Sequence, residues 1–507
     1  MNDIKINIEK LLAYGLFNNL FDDLDYFFVR NQVLELLKID DVYEGKVDFD
    51  KNQHIEQILQ PIVEYAIDQK IIQQYSQNSR DSFTAKIMGL LIGRPSEIIA
   101  KFNNIKQTQG IKAATDWYYD FSQKTNYIQT ARIAKNISWK STTKKAEVEI
   151  TINLSKPEKD PKDIAAALNQ KASTYPKCIL CVENEGFKGN LNLPARHNHR
   201  IIPIELEGET WYFQYSPYVY FNEHSILLSK EHRPMKIDKV TFKRLLKFVE
   251  QFPHYFIGSN ADLPIVGGSI LSHDHFQAGR YQFPMSKATF IRKFGSPKFT
   301  NVEVQIVQWQ MSTIRLISEN IDSIVELADN ILQKWKNYTN TALDILAFTD
   351  NKSHNTITPI ARFRNNKYEL DLVLRNNRTT EQYPDGIFHP HVHLHHIKKE
   401  NIGLIEVMGL AILPGRLLEE IQIIEKYLFE PISTKKLVEQ FPQLQKHSNW
   451  IEHLRFKFDK NPPSDLMEEL KNQIAEKFTE VLENCGVFKQ DELSQLKFFE
   501  FIQDCLN

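Results

Sequence analysis

Cysteine is scarce in this chain. Only Cys178, Cys181, Cys485 and Cys505 occur among 507 residues, too few for a disulfide framework at this size, and the expectation is a reducing, cytoplasmic setting. Long apolar runs are missing as well: no stretch of about 18 or more apolar residues is present, so no membrane-spanning helix is expected. The first residues, Met1-Asn2-Asp3-Ile4-Lys5, do not follow the charged-then-apolar layout of a signal peptide. Neither sign of charge dominates, with 62 Lys+Arg against 64 Asp+Glu. Without a basic field there is no non-specific attraction for nucleic acid, and a nucleic-acid reader is disfavoured. Low-complexity tracts and short-period repeats are absent from the sequence too, which argues against linkers and solenoids.

What is present reads as helices, then strands, then helices. The length corresponds to roughly three domains at about 150 residues each. Helical periodicity runs over Ile4–Leu16, Phe27–Leu37 and Ile55–Ile72. From about Tyr127 the pattern changes to alternation. Val148, Ile150, Ile152 and Leu154 face one way, with Glu149, Thr151 and Asn153 opposite, which predicts a half-buried strand. Similar strands are predicted at Val302–Trp309 and at Tyr368–Arg375. Alternation without a strand-helix-strand rhythm implies antiparallel sheets, and so an α+β fold. After Gly415 the pattern is helical again, with Ser464 or Asp465 capping the segment that begins Leu466-Met467-Glu468. This divides the chain into a helical segment over residues 1–125, sheet-rich halves over 126–290 and 291–415, and a helical end over 416–507.

The densest chemistry lies in Gly267-Gly268-Ser269-Ile270-Leu271-Ser272-His273-Asp274-His275-Phe276-Gln277. In an extended segment His273, His275 and Gln277 share one face, while Asp274 and Phe276 point the other way. Imidazole is a nucleophile toward activated phosphorus, and a glutamine amide can donate to a phosphoryl oxygen gaining charge. The glycines would admit backbone N–H groups close to a phosphate. The plainer alternative is a polar sheet face carrying two satisfied histidines.

Cys178-Ile179-Leu180-Cys181 has the spacing by which two sulfurs hold one metal from a single turn, or is simply a pair of quiet thiols. With no second half nearby, remote histidines such as His224 and His273 would have to complete the site. A further concentration, His389-Pro390-His391-Val392-His393-Leu394-His395-His396, would put His389, His391, His393 and His395 on one face if extended. It reads either as a metal or polyphosphate site or as a polar loop.

The blocks Gly258-Ser259-Asn260-Ala261-Asp262-Leu263-Pro264-Ile265-Val266-Gly267-Gly268-Ser269 and His273-Asp274-His275-Phe276-Gln277, followed by Phe388-His389-Pro390-His391 and Ile397–Gly409, resemble the bacterial class II galactose-1-phosphate uridylyltransferases. The likeness spans essentially the whole chain. It implies membership of the histidine-triad superfamily, with two histidine-triad-like antiparallel halves, flanking helices and helical terminal segments. Class I members carry His-Pro-His-x-Gln, where this chain has Asp274 in place of proline. By position, His275 would be the nucleophile and Gln277 would stabilise the transferred phosphoryl group. Zinc would be bound by Cys178, Cys181, His224 and His273. Asn260, Gly268 and Ser269 would contact phosphate or sugar-phosphate oxygens, Arg132 and Lys135 would be counterparts of early phosphate-binding arginines, and His389 and His391 are candidate substrate contacts. A second metal found in some class I enzymes needs a glutamate soon after the motif. Arg280–Ile291 contains none, so that metal is not expected.

The resemblance implies a double displacement. His275 would displace glucose 1-phosphate from UDP-glucose, and galactose 1-phosphate would take the uridylyl group to give UDP-galactose, with no organic cofactor. A homodimer is the expectation from related enzymes. Two rivals remain: a nucleotidyl hydrolase or dinucleoside polyphosphate phosphorylase sharing the same intermediate, and a non-catalytic metal- or nucleotide-binding protein.

Overall fold

The structure is a computed structural model and describes residues 2–72, 76–155, 175–190, 192–268 and 270–507. The chain is α+β and forms two compact units, neither continuous in sequence. The first comprises Met1–Lys135, Ser155–Pro234 and Ser272–Gly279; the second comprises Asn136–Leu154, Met235–Leu271 and Arg280–Asn507. Among the described residues no helix is long and apolar enough to cross a membrane.

The first unit opens with the expected helices at Asn2–Phe17, Tyr26–Leu37 and Ile55–Asp68, and continues with Gln77–Leu90, Pro95–Gln109 and Ile111–Lys124. Ile55, Ile58, Leu59, Ile62, Val63 and Ala66 are all buried, the i, i+3, i+4, i+7 stripe that made this helix legible. Four antiparallel strands follow in the order Ile202–Leu206, Glu209–Tyr215, Ser225–Ser229 and His275–Gly279. In register, Leu228 faces His275, Leu227 faces Phe276, and Ile226 faces Gln277. Phe276 is 1% exposed and stacks on Trp211 at 4.7 Å between ring centroids. That anchor holds the strand from its apolar face, leaving His275 and Gln277 together on the other.

In the second unit a run of six antiparallel strands follows the order Phe256–Gly258, Asn355–Arg364, Lys367–Asn376, Thr313–Ser318, Glu303–Val307 and Phe290–Phe294. A three-stranded sheet pairs Ile137–Thr142 antiparallel and Leu410–Pro414 parallel to Glu147–Asn153. The expected strands are present, but they are not half-buried. Glu149, Thr151 and Asn153 are buried along with Val148, Ile150 and Ile152, as are Glu369 and Asp371 beside Leu370 and Leu372. The apparent solvent face of Lys367–Asn376 is an internal ion network: Asp371 accepts from Arg315 Nε at 2.6 Å and pairs with Arg362, and Arg362 also reaches Glu369 at 2.9 Å. Alternation of polar and apolar residues marks two environments, and buried charge pairing supplies the second one here without water. The C-terminal helices are Arg416–Tyr427, Thr434–Gln440, Ser448–Phe458, Leu466–Cys485 and Glu492–Leu506, with Asp465 capping the fourth through Glu468 N at 2.9 Å.

Candidate functional site

The segment just before the His275–Gly279 strand is held by main-chain bonds to the end of the strand Ser225–Ser229, Ser229 N to Asp274 O at 3.0 Å, and to the loop beyond it, Asp274 N to Arg233 O at 2.7 Å. Asp274 also receives Arg233 Nε at 3.4 Å. These bonds carry His273 to the cysteine turn. Its Nδ1 lies 3.3 Å from Cys178 Sγ and 3.7 Å from Cys181 Sγ, the two sulfurs are 3.6 Å apart, and His232 Nδ1 lies 3.2 Å from Cys181 Sγ. All four ligand atoms fall within 4.8 Å of one another. A tetrahedral ion with metal–sulfur bonds of about 2.3 Å requires its sulfurs roughly 3.8 Å apart, so this donor set fits zinc. Asn184 Nδ2 donates to the carbonyls of both Cys178 and Cys181 at 2.8 Å and shapes the turn. Ser229 O lies 2.9 Å from His273 Nε2; it takes that N–H and leaves the Nδ1 lone pair facing the sulfurs, as an outer partner of a metal ligand does. Burial pushes the Cys181 thiol up to about 11, a cost that a bound dication would offset by stabilising the thiolate.

The expected fourth ligand is corrected. His232, not His224, joins the cluster, and strand register explains why. With Leu228 opposite His275 and Ile226 opposite Gln277, antiparallel pairing places the residues before His275 beside the C-terminal end of Ser225–Ser229, where His232 follows, and places His224 at the other end beside Gln277. Both histidines flank one five-residue strand, so spacing from the cysteines could not separate them. A usable sequence signal was the need for the ligand to lie beyond the strand end that pairs toward His273.

His275 is 7% exposed, and its Nδ1 sits 2.8 Å from the carbonyl oxygen of His273. The carbonyl can only accept, so Nδ1 carries the hydrogen and Nε2 holds the lone pair. Burial lowers its pKa to about 4, outweighing the backbone bond that raises it, so the ring is neutral near pH 7. Two residues on, Gln277 Oε1 lies 3.1 Å from His224 Nε2.

The remaining candidates have other surroundings. Arg132 is paired with Asp81 through both terminal nitrogens, at 2.9 and 2.5 Å, while Lys135 is exposed. In the second unit Asn260, 5% exposed, accepts Leu404 N at 2.8 Å. A Cβ on Gly267 would come within 2.6 Å of the carbonyl oxygens of Ala261 and Leu263, and one on Gly268 within 2.6 Å of Asn260 Nδ2. The glycines therefore admit the loop's own backbone and an amide side chain. Ser269 lies outside the described residues. The expected row of four imidazoles does not form: a 3-10 turn at Val392–Leu394 interrupts the extended path, and the rings bond to surrounding groups, with His389 and His395 sharing the carbonyl of Pro390 at 3.2 and 2.8 Å. His389 reaches Asn401 at 3.3 Å, His391 Ile387 O at 3.1 Å, His393 Glu480 at 2.6 Å and His395 Pro390 O at 2.8 Å. Among the described residues this tract is not a metal-ligand group.

Comparison with known proteins gives the family. Residues 19–234 match the galactose-1-phosphate uridyl transferase N-terminal domain, and residues 247–450 match the C-terminal domain. The galactose-1-phosphate uridylyltransferase of Caldanaerobacter subterraneus is 49% identical, covering 99% of this chain and 98% of its own length. That of Fusobacterium nucleatum is 50% identical, over 98% and 97%, and that of Halalkalibacterium halodurans 48%, over 99% and 98%. With both domains matched and near-half identity sustained end to end, the chain belongs to the galactose-1-phosphate uridyl transferase family.

Proposed function

We propose that this chain moves a uridylyl group from UDP-glucose to galactose 1-phosphate in two displacements at His275. The observation that carries the reading is the bond from His275 Nδ1 to His273 O, 2.8 Å long in a buried setting. It leaves a neutral ring with its nucleophilic lone pair on Nε2 at neutral pH. That nitrogen attacks the uridylyl phosphorus. An N–P bond forms, the P–O bond to the departing phosphate breaks, and glucose 1-phosphate leaves with the electron pair. The ring then carries positive charge, and the Nδ1–H bond to the carbonyl helps to stabilise it. In the second step a phosphate oxygen of galactose 1-phosphate attacks the same phosphorus, the N–P bond breaks, and its pair returns to Nε2. No general base is required, because the attacking phosphate is already ionised.

Gln277, on the same strand face, donates from its amide to the phosphoryl oxygens as charge builds on them; losing one such donor costs on the order of a hundredfold in rate. Cys178, Cys181, His232 and His273 would hold a zinc ion, whose contribution is structural. It would lock the His273 ring and with it the carbonyl that orients His275. The phosphate and sugar contacts assigned to Asn260, Gly268, Ser269, His389 and His391 belong to the same proposal, supported by their place in the resembling blocks, as do those assigned to Arg132 and Lys135, which lie within the matched residues 19–234. The four cysteines, all free thiols, support a cytoplasmic site of action.

The experiment is intact-mass analysis after incubation with UDP-glucose and no acceptor. A uridylyl mass should appear in the wild type, be absent in His275→Ala, and be discharged by galactose 1-phosphate with formation of UDP-galactose. Discharge by water or inorganic phosphate alone would identify the hydrolase or phosphorylase instead. Absence of any adduct in the wild type would refute the covalent route.

A further inference from the structure

Gln277 can serve a phosphoryl group only if its NH₂ end, not its oxygen, faces that group. An amide side chain is two-faced, and nothing in its own covalent structure selects one orientation over the other. Resting on the proposed role of Gln277, we infer that His224 is the residue that makes this selection, by donating its Nε2–H to Gln277 Oε1 and so committing the amide NH₂ to the side where the phosphorus reacts.

Three observations carry this. His224 Nε2 lies 3.1 Å from Gln277 Oε1. His224 is 3% exposed and packed against two rings, stacked on Tyr220 at 5.5 Å and tilted against Phe221 at 4.4 Å between centroids, which restrains the imidazole. Its other ring nitrogen, Nδ1, is buried with no hydrogen-bond partner among the described residues. That last fact decides the tautomer. Were the hydrogen on Nδ1, an N–H would be buried unbonded, and Nε2 would have to accept from the glutamine NH₂, turning the oxygen toward the incoming phosphate. With the hydrogen on Nε2, Nδ1 is left as an under-used acceptor, and the N–H of the ring is satisfied by Gln277 Oε1. Orphaned buried N–H groups are the rarer case. Burial also keeps the ring neutral, lowering its pKa to about 4, which excludes a doubly protonated imidazole near pH 7. His224 is thus a positioning residue acting through Gln277.

The test is the rate of adduct formation from UDP-glucose in single turnovers for His224→Phe, Gln277→Ala, the double variant and His224→Gln, each measured on zinc-replete protein. Phenylalanine keeps the ring packing and removes the donor; glutamine restores an N–H near the position of Nε2. His224→Phe should slow adduct formation roughly tenfold while half-saturation by UDP-glucose and zinc content stay at wild-type values. His224→Gln should recover most of the rate. The double variant should be no slower than Gln277→Ala, because a donor with no amide to orient has nothing left to lose. Slow Gln277→Ala with an unaffected His224→Phe, or a double variant slower by the product of the two single effects, would overturn the positioning role and leave the role of Gln277 standing. An unaffected Gln277→Ala would instead overturn the role of Gln277, and the inference with it. If His224→Phe does not fold, His224→Met removes the donor in its place and is read by the same outcomes.

Discussion

The Nδ1 of His275 points at the carbonyl oxygen of His273, 2.8 Å away, while the ring of His273 faces the sulfurs of Cys178 and Cys181. One residue therefore joins the two parts of the site. Its side chain belongs to the cysteine cluster and its peptide oxygen sets the tautomer of His275.

Metal content separates the two histidines that flank the Ser225–Ser229 strand. Cys178→Ser, Cys181→Ser and His232→Ala are each expected to lose most of about one equivalent of zinc per chain, measured by elemental analysis after dialysis, since a tetrahedral site tolerates the loss of a ligand poorly. His224→Phe is expected to retain it. Retention by His232→Ala together with loss in His224→Phe would reverse the assignment.

Removal of the metal is expected to reach the chemistry through His273. Chelator-treated protein should form the uridylyl adduct about 10- to 100-fold more slowly, the range typical of disturbing a metal site's supporting bonds, and should melt at a lower temperature. Re-addition of zinc should restore both. Unchanged adduct kinetics in protein proven metal-free would break the link between the cluster and His275.

The ion network in the second unit gives a stability prediction independent of catalysis. Asp371 is fully buried; burial alone would raise its pKa, but Arg315 and Arg362 hold it well below the usual carboxylate range. Asp371→Asn leaves those guanidiniums under-compensated and should cost about 3–5 kcal/mol in urea unfolding. A loss under about 1 kcal/mol would mean that water or rearrangement compensates the charges.

Acid stability should report the buried neutral histidines of the first unit. His199 is 2% exposed, bonded through Nε2 to Gln214 Oε1 at 2.7 Å and stacked on Tyr127 at 4.1 Å. Burial lowers its pKa to about 3, against about 6.5 in an unfolded chain. The unfolded state therefore binds the extra proton between those values, so this contribution is complete above pH ~6.5 and is lost as pH falls toward ~3. Each such group adds a slope of up to about 1.4 kcal/mol per pH unit in that window. His199→Gln should flatten the fall in unfolding free energy between pH ~6 and ~4 by about that slope. An unchanged slope would show that His199 is already charged in the folded protein.

What the sequence determined was local and periodic. The helices at Asn2–Phe17, Tyr26–Leu37 and Ile55–Asp68 and the C-terminal set were legible because a packed helix repeats its apolar contacts every three to four residues. The pairing of His275 with Gln277 on one face was legible from two-residue alternation, and the cysteine turn from its spacing. Tertiary structure alone decided three matters. Strand register sent His224 to Gln277 and His232 to the cysteines, since a ligand shell is closed by chains that meet in space. Buried ion pairing turned the polar side of Lys367–Asn376 into interior, because a carboxylate opposite a guanidinium can leave water where an unpaired one cannot. A single 3-10 turn took the histidines at 389, 391, 393 and 395 off one common face and onto bonds with the surrounding chain, because side-chain direction follows backbone torsion, and composition carries no record of it.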